Sequence, residues 1–259
     1  MRTVQHWKLP ASERLVVEWT SDVGAAWHRY HGNFRSTLQV NPQAVAFLGS
    51  LIDVACHEGY PGHHVQFLLA EAEAGARHLP VEDRIVLLRS PGSVVREGAA
   101  DYAVSLVFPP SDRLAFERDV LFPMSGFSPS DASRFEQVRS LLDQLAPAAL
   151  PILRAYHDHV LTADEAAAAL NREALIASPQ ALLAFVDTLG AYVTGYTGVR
   201  EQVRGIVDAG RPAGDVRWGR LRCLLRLADE MPLGRIAERI GRASDIAHLC
   251  TRKTDGSNI

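Results

Sequence analysis

The chain has 259 residues, 47% of them hydrophobic and 22% charged, with a formal net charge of −3. These proportions exclude a disordered chain, a fibrous repeat and a general polyanion binder, so nucleic acid is not an expected partner. The length suits one large domain, expected over residues 1–250 with a flexible polar tail at 251–259.

The first ten residues contain no apolar run, so no signal peptide is expected. The best apolar run, 45–56, is interrupted by Gly49, Ser50 and Asp53 and is too short to span a bilayer. Cys56, Cys223 and Cys250 are scattered and odd in number, which fits a reducing compartment better than a disulfide scaffold. The expectation is a cytoplasmic protein with no membrane partner.

Along the chain, alternation around Phe34, Thr37, Leu38 and Val40, ahead of Asn41-Pro42, predicts a strand over 33–40. Apolar spacing predicts helices over 43–56, 62–76, 81–88, 94–108, 134–145, 163–176, 178–189 and 199–209. Thr162-Ala-Asp-Glu165 is a capping box and a strong helix start. Residues 109–112, 123–130 and 210–214 are rich in Pro, Gly and Ser and read as loops. Leu224, Leu225, Leu227, Ile236 and Ile240 recur at helical spacing and read as core, with the nearby arginines on a solvated face. The fold class expected is mainly α, with a small β element before the helix that carries the chemistry.

That chemistry concentrates in His57-Glu58-Gly59-Tyr60-Pro61-Gly62-His63-His64-Val65-Gln66. Zinc takes neutral imidazoles and carboxylates and leaves one position open when a site is catalytic. In the usual H-E-x-x-H helix, two histidines four apart share a face and the glutamate is the base. Here Pro61 occupies the fourth position. His64 would lie about 10 Å along an unbroken helix from His57, and His63 would point about 120° away. Either histidine therefore needs a distorted helix, which Pro61-Gly62 supplies. An expansion absorbing two residues puts His63 at the position of the missing histidine, so His63 is preferred over His64 as the second ligand. Downstream, Glu97 and Asp101 stand four apart on one helical face. That spacing suits Glu97 as third ligand, with Asp101 behind a ligand histidine. His28 and His31, beside Trp27 and Tyr30, are candidates for a substrate groove.

The ten-residue segment resembles the HE-x-x-PGHH-x-Q signature of a bacterial metallopeptidase-like family, domain of unknown function number eight-eight-five, in the gluzincin-type peptidase clan. Glu97-Gly-Ala-Ala-Asp-Tyr102 is similar to the family's EGWAxY segment, which carries the glutamate ligand. Ala191-Tyr192-Val-Thr-Gly195 is similar to its AYxxG segment, whose tyrosine faces the metal. The resemblance covers about residues 33–204 and implies a gluzincin-like helical core, a zinc ion held by His57, His63 and Glu97, and Tyr192 in catalysis. Ala99, Val104, Asp187-Thr-Leu189 and Val193 depart from the family pattern, and all fall outside the three expected ligands.

The reading that follows is a zinc-dependent hydrolase of an amide or peptide-like bond. Glu58 is its base, Tyr192 helps to stabilise the oxyanion, and His64, Arg200 and Arg204 contact substrate. The expected partner is a small peptide or an amide-containing small molecule. Two alternatives keep the same chain: an enzyme of specialised metabolism that rearranges or cyclises a small amide, and a catalytically silent binding module. The sequence does not set the oligomeric state.

Overall fold

The computed structural model describes residues 2–22, 26–43, 48–78 and 87–242. A short helix α1 (Arg2–His6) leads into strands β1 (Arg14–Trp19), β2 (Ala26–Gly32) and β3 (Arg35–Val40). They form one sheet in the order β1-β3-β2, with β3 parallel to β1 and antiparallel to β2. The expected strand is therefore the central one. It starts at Arg35 and not at residue 33, because Asn33 and Phe34 take left-handed backbone in the hairpin after Gly32. The flanking strands escaped the sequence pattern. β1 runs Leu15-Val16-Val17 without alternation, and β2 is built of His, Arg and Tyr.

The rest is mainly helical. α2 (Ser50–Val54) continues into a π-helical turn over Ala55–Gly59, and α3 is His63–Arg77. α4 (Pro91–Val107) is capped by the Ser90 side chain, which accepts from the Ser93 N–H. α5 (Pro110–Phe116) corrects the expected loop at 109–112: Pro110 sits in the first helical turn, where its missing N–H costs nothing. A second π-turn, Glu117–Leu121, leads to the brief α6 (Phe122–Met124) and then to α7 (Ala132–Leu145) and α8 (Ala149–His157). α9 (Ala163–Ala174) has both halves of its capping box formed. α10 (Pro179–Leu189) is followed by a 3₁₀ stretch, Gly190–Tyr196, and by α11 (Gly198–Val207). α12 (Gly214–Leu227) and α13 (Leu233–Arg242) complete the order. The tail at 251–259 and most of the helix expected at 81–88 lie outside the described residues.

α4 is the axis of the larger core. Its Val95, Ala99 and Tyr102 pack with Val203 and Val207 of α11, with Trp218, Leu221 and Leu224 of α12, and with Ile236 and Ile240 of α13. Each such aliphatic side chain contributes about 1.5–3 kcal/mol by leaving water. At Gly98 the α11 backbone comes so close that a Cβ would lie 2.7 Å from the Arg200 nitrogen. This contact brings the stretch before α11 against Glu97. A second cluster joins α8, α9 and α10 through Leu153, Leu170, Leu183 and Val186. Among the described residues no single helix is long and apolar enough to cross a membrane. Cys56 is free and buried.

The turn between α2 and α3 depends on Gly62. A Cβ there would stand 1.7 Å from the His57 carbonyl oxygen, a backbone atom that cannot swing away. Gly62→Ala is therefore expected to cost at least about 2 kcal/mol of stability, as overpacking against fixed atoms does. Urea denaturation checks it, with Gly75→Ala, where a Cβ meets nothing within 4 Å, as the harmless control.

Candidate metal centre

The sequence breaks its own helix where the chemistry begins. The π-turn widens the backbone at Ala55–Gly59, Tyr60 is extended, and Tyr60-Pro61 is a cis peptide. The Gly62 N–H then donates to the Cys56 carbonyl at 2.9 Å, and α3 starts at His63. The expected distortion is thus present. It brings the His57 and His63 rings to 4.6 Å between centroids, at right angles.

His57, Glu58 and His63 offer ligand atoms that all lie within 4.8 Å of one another, a group that can hold a metal ion. From α4, Glu97 reaches the same place: its Oε2 is 3.2 Å from His57 Nε2 and its Oε1 is 3.1 Å from His63 Nε2. Glu97 Oε2 is buried and accepts no well-aligned hydrogen bond. A buried carboxylate with one oxygen left in this state, each oxygen facing an imidazole nitrogen, fits a cation between them.

The surrounding contacts set each group's chemistry. Asp101 accepts from His57 Nδ1 at 2.7 Å, which fixes the proton on Nδ1 and turns Nε2 to the site. His63 Nδ1 lies 3.4 Å from the Gln66 side-chain oxygen, and the Gln66 amide donates to the Arg96 carbonyl at 3.1 Å. The Tyr192 hydroxyl donates to Glu97 Oε1 at 2.5 Å. Gly195 lets this segment approach, since a Cβ there would be 2.8 Å from the Glu97 Cβ.

Burial disfavours charge on His57, yet the Asp101 hydrogen bond and the Glu97 carboxylate raise its pKa well above the usual imidazole range. Burial also opposes charge on Glu97, but the His57 and His63 contacts hold its carboxyl far below the ordinary range. Glu58 behaves oppositely. Burial raises its pKa, and nearby imidazoles only partly offset that. The two carboxylates beside the histidines are therefore shifted in opposite directions.

One expected substrate contact needs correction. His64 is fully buried, with Nδ1 2.8 Å from Ser36 Oγ and Nε2 2.9 Å from Glu13 Oε2. Tyr60 also donates to Glu13 Oε2, at 2.6 Å. His64 thus joins α3 to the sheet and has no surface with which to meet a substrate. Arg200 pairs with Glu201 and Asp143, and Arg204 with Glu201.

One site residue went unread, and another stands closer to the histidines than expected. Tyr196 lies with its ring 6.0 Å from that of His57 and nearly parallel to it. Its position just past the AYxxG-like segment was the available signal. His28, raised only as a groove residue, stands 6.2 Å from His63 between ring centroids and stacks on Phe67. Burial, with the neighbouring imidazoles, pushes its pKa down to about 3, so it is neutral. Comparison with protein-family models, curated proteins and solved structures gives no match to this chain.

Proposed function

We propose that this protein is a zinc-dependent hydrolase of an amide or peptide-like bond. The observation that carries the reading is the convergence of His57, His63 and Glu97, with the carboxyl of Glu58 beside them. Two imidazoles and one carboxylate suit zinc better than calcium or magnesium, which prefer all-oxygen shells. The likeness of 57–66, 97–102 and 191–195 to the gluzincin-type family supports the same reading.

His57, His63 and Glu97 would hold the ion. Bound there, it supplies a Lewis acid and lowers the pKa of a water towards 7. Glu58, neither paired to a cation nor spent on a hydrogen bond among the described contacts, takes the proton from the attacking water and passes it to the departing nitrogen. Asp101 keeps His57 in the tautomer that presents Nε2. Tyr192 keeps the Glu97 carboxylate in place.

The test is to incubate the zinc-loaded protein with a broad set of peptides and small amides and to read the products by mass spectrometry. Cleavage with the gain of one water, lost on chelation and restored by zinc, is expected. Products of unchanged mass would instead indicate rearrangement at the same centre. No zinc uptake by the wild-type protein would overturn the reading.

A further inference from the structure

Two phenols, not one, stand at this centre. Both come from the 3₁₀ stretch Gly190–Tyr196, and their rings are 6.3 Å apart in an edge-on arrangement. Their surroundings differ. Tyr192 is 6% exposed and its hydroxyl is bound to Glu97 Oε1, the oxygen that also faces His63. Removing that hydroxyl would free the carboxylate to rotate. Tyr196 is only half-buried, lies over the face of His57 and also reaches the Glu97 carboxylate as a hydrogen-bond partner. Beyond it stands Phe185, 5.8 Å away between centroids and exposed on its outer side.

This division assigns two tasks. A phenol tied to a ligand carboxylate orients that ligand. A less buried phenol, stacked on a ligand histidine, can exchange its contact with that carboxylate for whatever oxygen the site polarises. We propose that Tyr196, and not Tyr192, donates the hydrogen bond to the substrate's carbonyl oxygen as negative charge builds on it, while Tyr192 is the positioning residue that fixes Glu97. No proton is transferred in this step; the phenol keeps its hydrogen throughout. Phe185 beside it makes the flanking substrate group an apolar one. The inference rests on the metal-dependent hydrolase reading and deepens it.

The experiment uses the full chain loaded with Co(II), whose visible spectrum reports the ligand geometry, and acetohydroxamate as the probe, since its oxygens bind a metal and accept from a nearby donor. Tyr196→Phe is expected to keep the wild-type cobalt spectrum and metal affinity while binding acetohydroxamate about tenfold more weakly, the size of one hydrogen bond. Tyr192→Phe is expected to change the cobalt spectrum and to weaken the metal itself. Circular dichroism verifies the fold, and 3-fluorotyrosine at position 196, a near-isosteric stronger donor, is expected to tighten acetohydroxamate binding. Unchanged binding in both Tyr196 variants would overturn the assignment while leaving the metal centre standing. So would a Tyr192→Phe protein with a normal cobalt spectrum and weakened probe binding. Failure of the wild-type protein to take up cobalt or zinc would overturn the hydrolase reading and the Tyr196 assignment together.

Discussion

His63→Ala is expected to lose the metal, while the adjacent His64→Ala keeps it and loses stability instead. The two histidines are chemically identical neighbours, so only the backbone can separate their roles. The π-turn and the break at Pro61-Gly62 deliver His63 Nε2 to within 3.1 Å of Glu97, and the same start of α3 sends His64 to Ser36 and Glu13. Structural zinc sites bind with about 10–16 kcal/mol over four ligands, or roughly 3 kcal/mol for each. Losing one should therefore weaken binding at least roughly 100-fold, and His57→Ala and Glu97→Ala should do the same. His64→Ala opens a cavity and strands the buried Ser36 hydroxyl, a cost of about 3 kcal/mol. Elemental analysis beside urea denaturation reads both effects. Metal retained in His63→Ala and lost in His64→Ala would mean that the turn adopts another geometry.

The same turn shows how far the sequence could be read. Pro61 in place of a ligand histidine was itself the signal that the helix must break, because a regular helix places neither downstream histidine correctly. The spacing of Glu97 and Asp101 likewise encoded their shared direction on α4, since four residues return to one face. What local spacing cannot contain is a partner supplied from far along the chain. Glu13 lies 51 residues before His64, and nothing around Glu13 marks it as the group that occupies that imidazole. The pairing of Arg200 and Arg204 on α11 with Asp143 and Glu201 is likewise not marked by local spacing alone. The sheet was read in its central strand alone. β3 alternates buried and half-exposed residues along most of its length, whereas β1 and β2 gain their strand character only from pairing with it. The helices were legible where their apolar faces are long. The one after Pro110 was hidden behind residues that ordinarily signal loops.

Glu58→Gln separates a base from a ligand, the sharpest chemical distinction at this centre. Glu58 and Glu97 both lie against the histidines, and donor proximity alone would group Glu58 with His57 and His63. Their contacts divide them. Glu97 spans both Nε2 atoms, which hold its carboxyl far below the ordinary range, and it accepts from the Tyr192 hydroxyl. Glu58 has a pKa raised by burial, as an acceptor that must take up a proton and give it back requires. Glutamine at position 58 keeps the size and removes the basicity. The expected result is a protein with its full complement of zinc and turnover lower by at least roughly 100-fold, the low end of a general-base contribution. Glu97→Gln should do the reverse in order, losing zinc first and activity as a consequence, so that excess zinc restores part of its turnover but none of that of Glu58→Gln. Zinc lost from Glu58→Gln and retained by Glu97→Gln would exchange the two roles, making Glu58 the third ligand and leaving the site to find its base elsewhere.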